Sequence, residues 1–174
     1  MAGISWQERE PYTQSMNLIV SLLMRYPQIA TVSLHPEEHS LHFVFIINAR
    51  LTQRGAQELE HQLKEGWESF WQLTHARPEL TEINFTGENS LTLLEVKRDV
   101  ASITLSEISY LIQFLQDHYQ SKLCQEQPSA EGGGSEESWP EELIELLLDD
   151  LREIKSDRNL IGFREEGRVF VYRT

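Results

Sequence analysis

Three times along this chain a stretch with helical periodicity is followed by two short runs of strand-like alternation. This order constrains the fold more than any single motif. A hairpin behind each helix supplies antiparallel strands, and the helices then have a sheet whose apolar face they can cover. The spacing predicts a two-layer α+β protein, with a mostly antiparallel sheet built from αββ units and helices on one face.

The first unit opens with "PYTQSMNLIVSLLMRYP", in which Tyr12, Met16, Ile19, Val20, Leu23 and Tyr26 recur at helical spacing between Pro11 and Pro27. "IATVSLH" and "SLHFVFII" follow as strands. Pairing Leu34 with Leu41 leaves Pro36–His39 as the turn. Ser33, His35 and His42 then share the other face near the tip, with Val44 and Ile46 deeper, at a base expected to be covered on both sides.

The second unit begins with a helix over about 52–75, striped by Ala56, Leu59, Leu63, Trp67, Phe70 and Leu73. "LTEINFTGENSLTLLEV" reads as its hairpin, with Ile83 and Phe85 facing Leu91 and Leu93 across Gly87–Asn89. "TLSE" (Thr104–Glu107) has the form of a capping box, in which the threonine accepts from the backbone and the glutamate reaches back. It opens a third helix, with Leu105, Ile108, Leu111, Ile112, Leu115 and Tyr119 on its apolar side.

The texture then changes. "QEQPSAEGGGSEES" is polar, holds three consecutive glycines and lacks any large apolar side chain, as a flexible linker does. A second capping box, Ser138–Glu141, starts "ELIELLLDDLREI", and a last hairpin turns at Glu165–Gly167. The expected organisation is an N-terminal extension (1–11), an α+β core domain (12–124), a flexible acidic linker (125–138) and a C-terminal αββ unit (139–174). A unit of roughly 35 residues is too small to bury a core of its own. It must dock, in cis or on a second subunit.

Composition narrows the functional classes. Apolar residues make up 40% and charged residues 25% of the 174, enough for a core without disulfides or metals. No apolar run approaches a membrane span, and the start "MAGISWQEREP" lacks the pattern of a signal peptide. Cys124 is the single cysteine, compatible with a reducing compartment. A cytoplasmic protein is expected. The net charge of −13 repels phosphate backbones and makes nucleic acid an unfavoured partner. That charge is uneven: residues 126–153 carry ten carboxylates and one base, Arg152, whereas 154–174 carry five bases against three acids. Arg158, Arg164, Arg168 and Arg173 are therefore candidates for a partner interface. Trp71 joins them, lying at the edge of the helical stripe, because tryptophan is enriched in interface hot spots.

Four constellations bear on chemistry. His35, His39 and His42 cluster with Glu37 and Glu38 in "HPEEHSLH", but a turn with many free torsions preorganises metal ligands poorly. The stretch reads as a solvated hairpin tip, with no metal assigned. Lys97 and Arg98, just before a helix N-terminus, are candidates for an anion site. Glu58 and His61 form one E-x-x-H spacing, where di-iron bundles need two. Cys124 adjoins the linker, a poor place to hold a base in line with a thiol. No P-loop, G-x-G-x-x-G or G-x-S-x-G pattern occurs. The expectation is a small acidic protein-interaction or regulatory module, chaperone- or adaptor-like, non-catalytic, without a cofactor and homodimeric. The alternative is an enzyme, or a small-molecule- or metal-binding protein, with its site at the His35–His42 tip or at Lys97 and Arg98.

Overall fold

The computed structural model describes residues 11–126, 140–153 and 158–174. Helix α1 (Pro11–Arg25) precedes strands β1 (Thr31–His35) and β2 (Ser40–Ile47); α2 (Gln53–Thr74) precedes β3 (Thr81–Glu88) and β4 (Leu91–Asp99). Helix α3 (Leu105–Tyr119) and a short 3₁₀ turn follow, then α4 (Glu141–Glu153) with β5 (Leu160–Glu165) and β6 (Arg168–Arg173). The strands form one six-stranded antiparallel sheet in the order β3-β4-β2-β1-β5-β6. This is the α+β architecture the αββ pattern predicts.

Alternation explains the sorting of the first hairpin. Leu34 lies opposite Leu41 as expected, and His35 opposite Ser40 closes the turn. Val32, Leu34, Leu41, Phe43, Phe45 and Ile47 are buried on one face, under Leu18, Ile19, Leu22 and Leu23 of α1. Fully burying each such side chain stabilises by about 1.5–3 kcal/mol relative to exposure. The other face carries Ser33, His35, His42, Val44 and Ile46. Val44 and Ile46, expected under cover on both sides, are half-exposed, because the helices all lie on the opposite face. The chain after α3 reaches this base, where Cys124 N–H donates to the Ile46 carbonyl at 2.8 Å.

The second hairpin departs from its expected register. Its turn is Asn89–Ser90, closed by Glu88 opposite Leu91, so Ile83 faces Val96 and Phe85 faces Leu94. Asn89 takes the left-handed conformation (φ 57°), which asparagine tolerates better than most residues. The difference from the expected pairing is an odd number of residues, and an odd slip moves a whole strand face. Leu91 and Leu93 therefore lie on the side away from the helices. In α2, Leu59, Leu63 and Trp67 are buried, but Leu73 is 83% exposed: the stripe leaves the core before the helix ends at the left-handed cap His75.

The C-terminal αββ unit docks in cis. Strand β5 pairs with β1, Leu160 opposite Leu34, and Ile144, Leu147, Leu148 and Leu151 of α4 enter the same core cluster as α1 and α3. Gly162 of β5 passes so close beneath α1 that a Cβ there would sit 2.2 Å from the Ile19 methyl. Arg152 ties α4 to the loop before α3, donating to the carbonyls of Val100 (3.1 Å) and Ile103, while Arg25 of α1 pairs with Glu141. The expected extension (1–11) and linker (125–138) lie outside the described residues except for Pro11, Gln125 and Glu126.

Candidate functional site

Lys97 and Arg98 are neighbours in β4, and a strand points neighbours to opposite faces. Arg98 goes to the helix side and is 1% exposed. Its Nε and Nη2 donate to the two carboxylate oxygens of Glu107 (2.7 and 2.8 Å), and Nη2 also donates to Ser102 Oγ at 3.1 Å. Nη1 donates to the Leu80 carbonyl at 3.0 Å and to Asp99. All five guanidinium N–H groups are thereby taken by the protein itself, leaving none to hold an outside anion. Lys97, on the open face, lies 3.8 Å from Glu82 and 3.9 Å from Glu95. The two cations cannot share one anion, so the expected anion corner is replaced by two separate ion-pair sets.

Glu107 belongs to the third helix's capping box only in part. Thr104 accepts from its N–H at 3.2 Å, but the carboxylate turns inward to Arg98 instead of reaching back. Trp71 completes the corner. Its indole N–H donates to Glu107, and its ring lies 5.3 Å from the Arg98 guanidinium and stacks on Trp67 at 5.7 Å. Asp99 pins the adjoining turns, accepting from the N–H groups of Glu79 (3.1 Å), Leu80 (3.1 Å) and Ser102 (2.9 Å). Burial pushes its carboxyl up, but hydrogen bonds from Ser102 and Leu80 and the charge of Arg98 outweigh this and hold it below its ordinary value. The outer side of Trp71 lines a hollow of about 540 Å³ with Glu68, His75 and Arg77.

At the first hairpin, His35 and His42 stack face to face with centroids 3.8 Å apart. Ser40 Oγ lies 3.0 Å from His42 Nε2 and 3.2 Å from Glu38. Burial, then His35 and Lys97, push His42 below its ordinary pKa, while Glu95 and Glu38 pull the other way. His39 is exposed in the turn, with φ 51°. Among the described residues no group of three or more His, Cys, Asp or Glu side chains could hold a metal ion. Glu58 and His61 sit on the exposed side of α2, His61 beside Glu65 at 3.0 Å and Glu58 beside Arg54 at 3.4 Å. Cys124 is half-buried in a hollow of about 270 Å³ with Ile46, Glu126 and Arg164.

The C-terminal arginines divide. Arg164 turns under α1 and donates to the carbonyls of Pro27 (3.2 Å), Ile29 (3.1 Å), Tyr26 (3.3 Å) and Leu23. Leu23 lies in the last turn of α1, where carbonyls lack intrahelical donors and carry negative partial charge, so the guanidinium suits that end. Burial lowers its pKa and Glu126 opposes that shift. This placement removes Arg164 from any outer interface. Arg158, Arg168 and Arg173 are exposed, the last two at the ends of β6.

Between those ends lies a surface that the charge pattern does not reveal. On the open face, Phe163 of β5 stacks with Phe170 (5.9 Å) and Tyr172 (5.6 Å) of β6, and Tyr172 is 53% exposed. Val169 and Val171, on the other side of β6, pack against the core. Both alternating series of "RVFVYR" are apolar, so its period alone does not say which faces water. The arrangement supplies a flat aromatic strip beside an edge strand, on a sheet face that no helix of the described residues covers. No helix of the described residues is long and apolar enough to cross a membrane. Comparison with protein-family models, curated proteins and solved structures finds no match to this chain.

Proposed function

We propose that the chain is a protein-interaction or regulatory module of the cytoplasm, chaperone- or adaptor-like and homodimeric, which binds partners and does not catalyse a reaction. The observation that carries this reading is the strip formed by Phe163, Phe170 and Tyr172 on the uncovered face of the sheet. Water contact at stacked aromatic rings is unfavourable, and burying them against another protein recovers that free energy. Rings held in place by cross-strand neighbours also lose little side-chain entropy on binding. Arg168 at the end of the strip favours a partner whose apolar patch is bordered by carboxylates. Arg164, hydrogen-bonded to the carbonyls of Leu23, Tyr26, Pro27 and Ile29, anchors β5 behind this surface.

The test is a photo-activatable side chain placed at Tyr172, with a control at exposed Gln113 on α3. In the native host, Tyr172 should give a discrete adduct of defined mass that disappears when Phe163 is changed to Ser. The same adducts at both positions, or none at Tyr172, would reject the surface.

A further inference from the structure

The sheet has two edges, β3 and β6, and their charges treat self-pairing differently. When two copies of one edge strand pair antiparallel about a two-fold axis normal to the sheet, directly opposed residues lie on the same face. For β3, the register centred on Phe85 sets Glu82 directly against Glu88 of the partner subunit, twice over. Both are exposed, and like charges in that relation are destabilising. Strand β6, in the register centred on Phe170, has no such conflict. Arg168 and Arg173 point to opposite faces and so can never be directly opposed to each other.

We propose that β6 pairs with β6 of a second copy about a two-fold axis at Phe170, joining the two six-stranded sheets into one. This names the surface for the dimeric part of the reading above and rests on it. In this register Phe170 meets Phe170 of the partner subunit, and Val169 meets Val171 of the partner subunit. Arg168 lies opposite the ring of Tyr172 of the partner subunit, where a guanidinium and an aromatic face attract. Arg173 lies opposite Gly167 of the partner subunit, in the turn that also presents Glu166. Glu166 and Gly167 both take positive φ (52° and 77°), which makes a tight two-residue tip. The basic end of each strand therefore meets the acidic turn of the other, twice by symmetry. Neither Arg168 nor Arg173 forms an ion pair among the described residues, so both are available for this contact. The join also covers an edge that would otherwise offer unpaired backbone groups, and it sets two aromatic strips side by side on one continuous open face.

The experiment is native mass spectrometry and light scattering of the full chain across a dilution series. The wild type should be dimeric. Arg173→Glu sets a second carboxylate beside Glu166, and Glu166→Arg sets a second guanidinium against Arg173; each should raise the dimer Kd about tenfold or more. The double variant, Arg173→Glu with Glu166→Arg, should return it to within about threefold of wild type. Both positions are exposed, so circular dichroism should report the same fold throughout. A wild type that stays monomeric at about 100 µM overturns this interface and the dimeric reading together. A dimer indifferent to all three variants overturns the β6 interface alone and points to exchange of the α4–β5–β6 unit.

Discussion

The two faces of the sheet use the same kinds of residue for opposite ends. On the covered face, Phe43, Phe45, Leu94 and Val96 are removed from water, and even an arginine is buried because Glu107, Leu80, Ser102 and Asp99 meet all its donors. On the open face, Phe163, Phe170 and Tyr172 keep partial contact with water, and the charged groups form loose pairs such as Lys97 with Glu82 at 3.8 Å. Aromatic content alone therefore says little about stability. What separates the faces is whether a second layer lies over them.

Substitutions can break that contrast, most strongly at the covered corner. Arg98→Met leaves the Glu107 carboxylate buried without its partner and should cost about 3–5 kcal/mol in urea unfolding. Adding Glu107→Gln to it should recover part of the loss, since an unpaired buried charge is worse than none. Gly162→Ala is the next largest. Its Cβ would meet Ile19 at 2.2 Å, and relieving such overpacking costs about 1–3 kcal/mol. On the open face, Tyr172→Ser should change stability by about 1 kcal/mol or less. A loss as large as that of Gly162→Ala would mean that something other than solvent covers this face.

The smallest effect is one of pH. His42 titrates below its ordinary value of 6.5 in the folded chain, so folding favours its neutral form. Its contribution is present above about pH 6.5 and is lost as pH falls through the lower folded value, where the unfolded chain takes up the proton first. Unfolding midpoints measured from pH 7.5 to 5 should show this decline, and His42→Gln should flatten it. An unchanged slope in that variant would place the linkage elsewhere.

The elements were legible wherever one period dominated. The Leu34–Leu41 pairing, the helix over about 52–75 and the turn at Glu165–Gly167 all follow from local pattern and turn chemistry. The β3–β4 register was not, because Gly87 and Asn89 both offer a turn and the choice between them reverses a strand face. Nor was the fate of the arginines. Arg98 depends on Glu107 in another element and on Leu80 just before β3, and Arg164 depends on carbonyls at and just after the end of α1. Composition marks such residues as surface charges, whereas only tertiary neighbours can make their burial tolerable. The aromatic strip escaped notice for the converse reason: apolar residues on both sides of β6 look like core until one side is found uncovered.

The strand order has a consequence for how the molecule is made. Strand β1 leaves the ribosome long before its partner β5, with β2, α2, β3, β4, α3 and α4 made in between. Pairings so distant in sequence close a long loop and slow folding. While residues 160–165 are still being synthesised, β1 is an open edge and the final carbonyls of α1 lack Arg164. At ordinary elongation rates of about 5–20 residues per second, that exposure lasts on the order of ten seconds, against about a microsecond for local helix formation. The nascent chain thus carries an adhesive edge for seconds, until its own C-terminal hairpin is made and covers it.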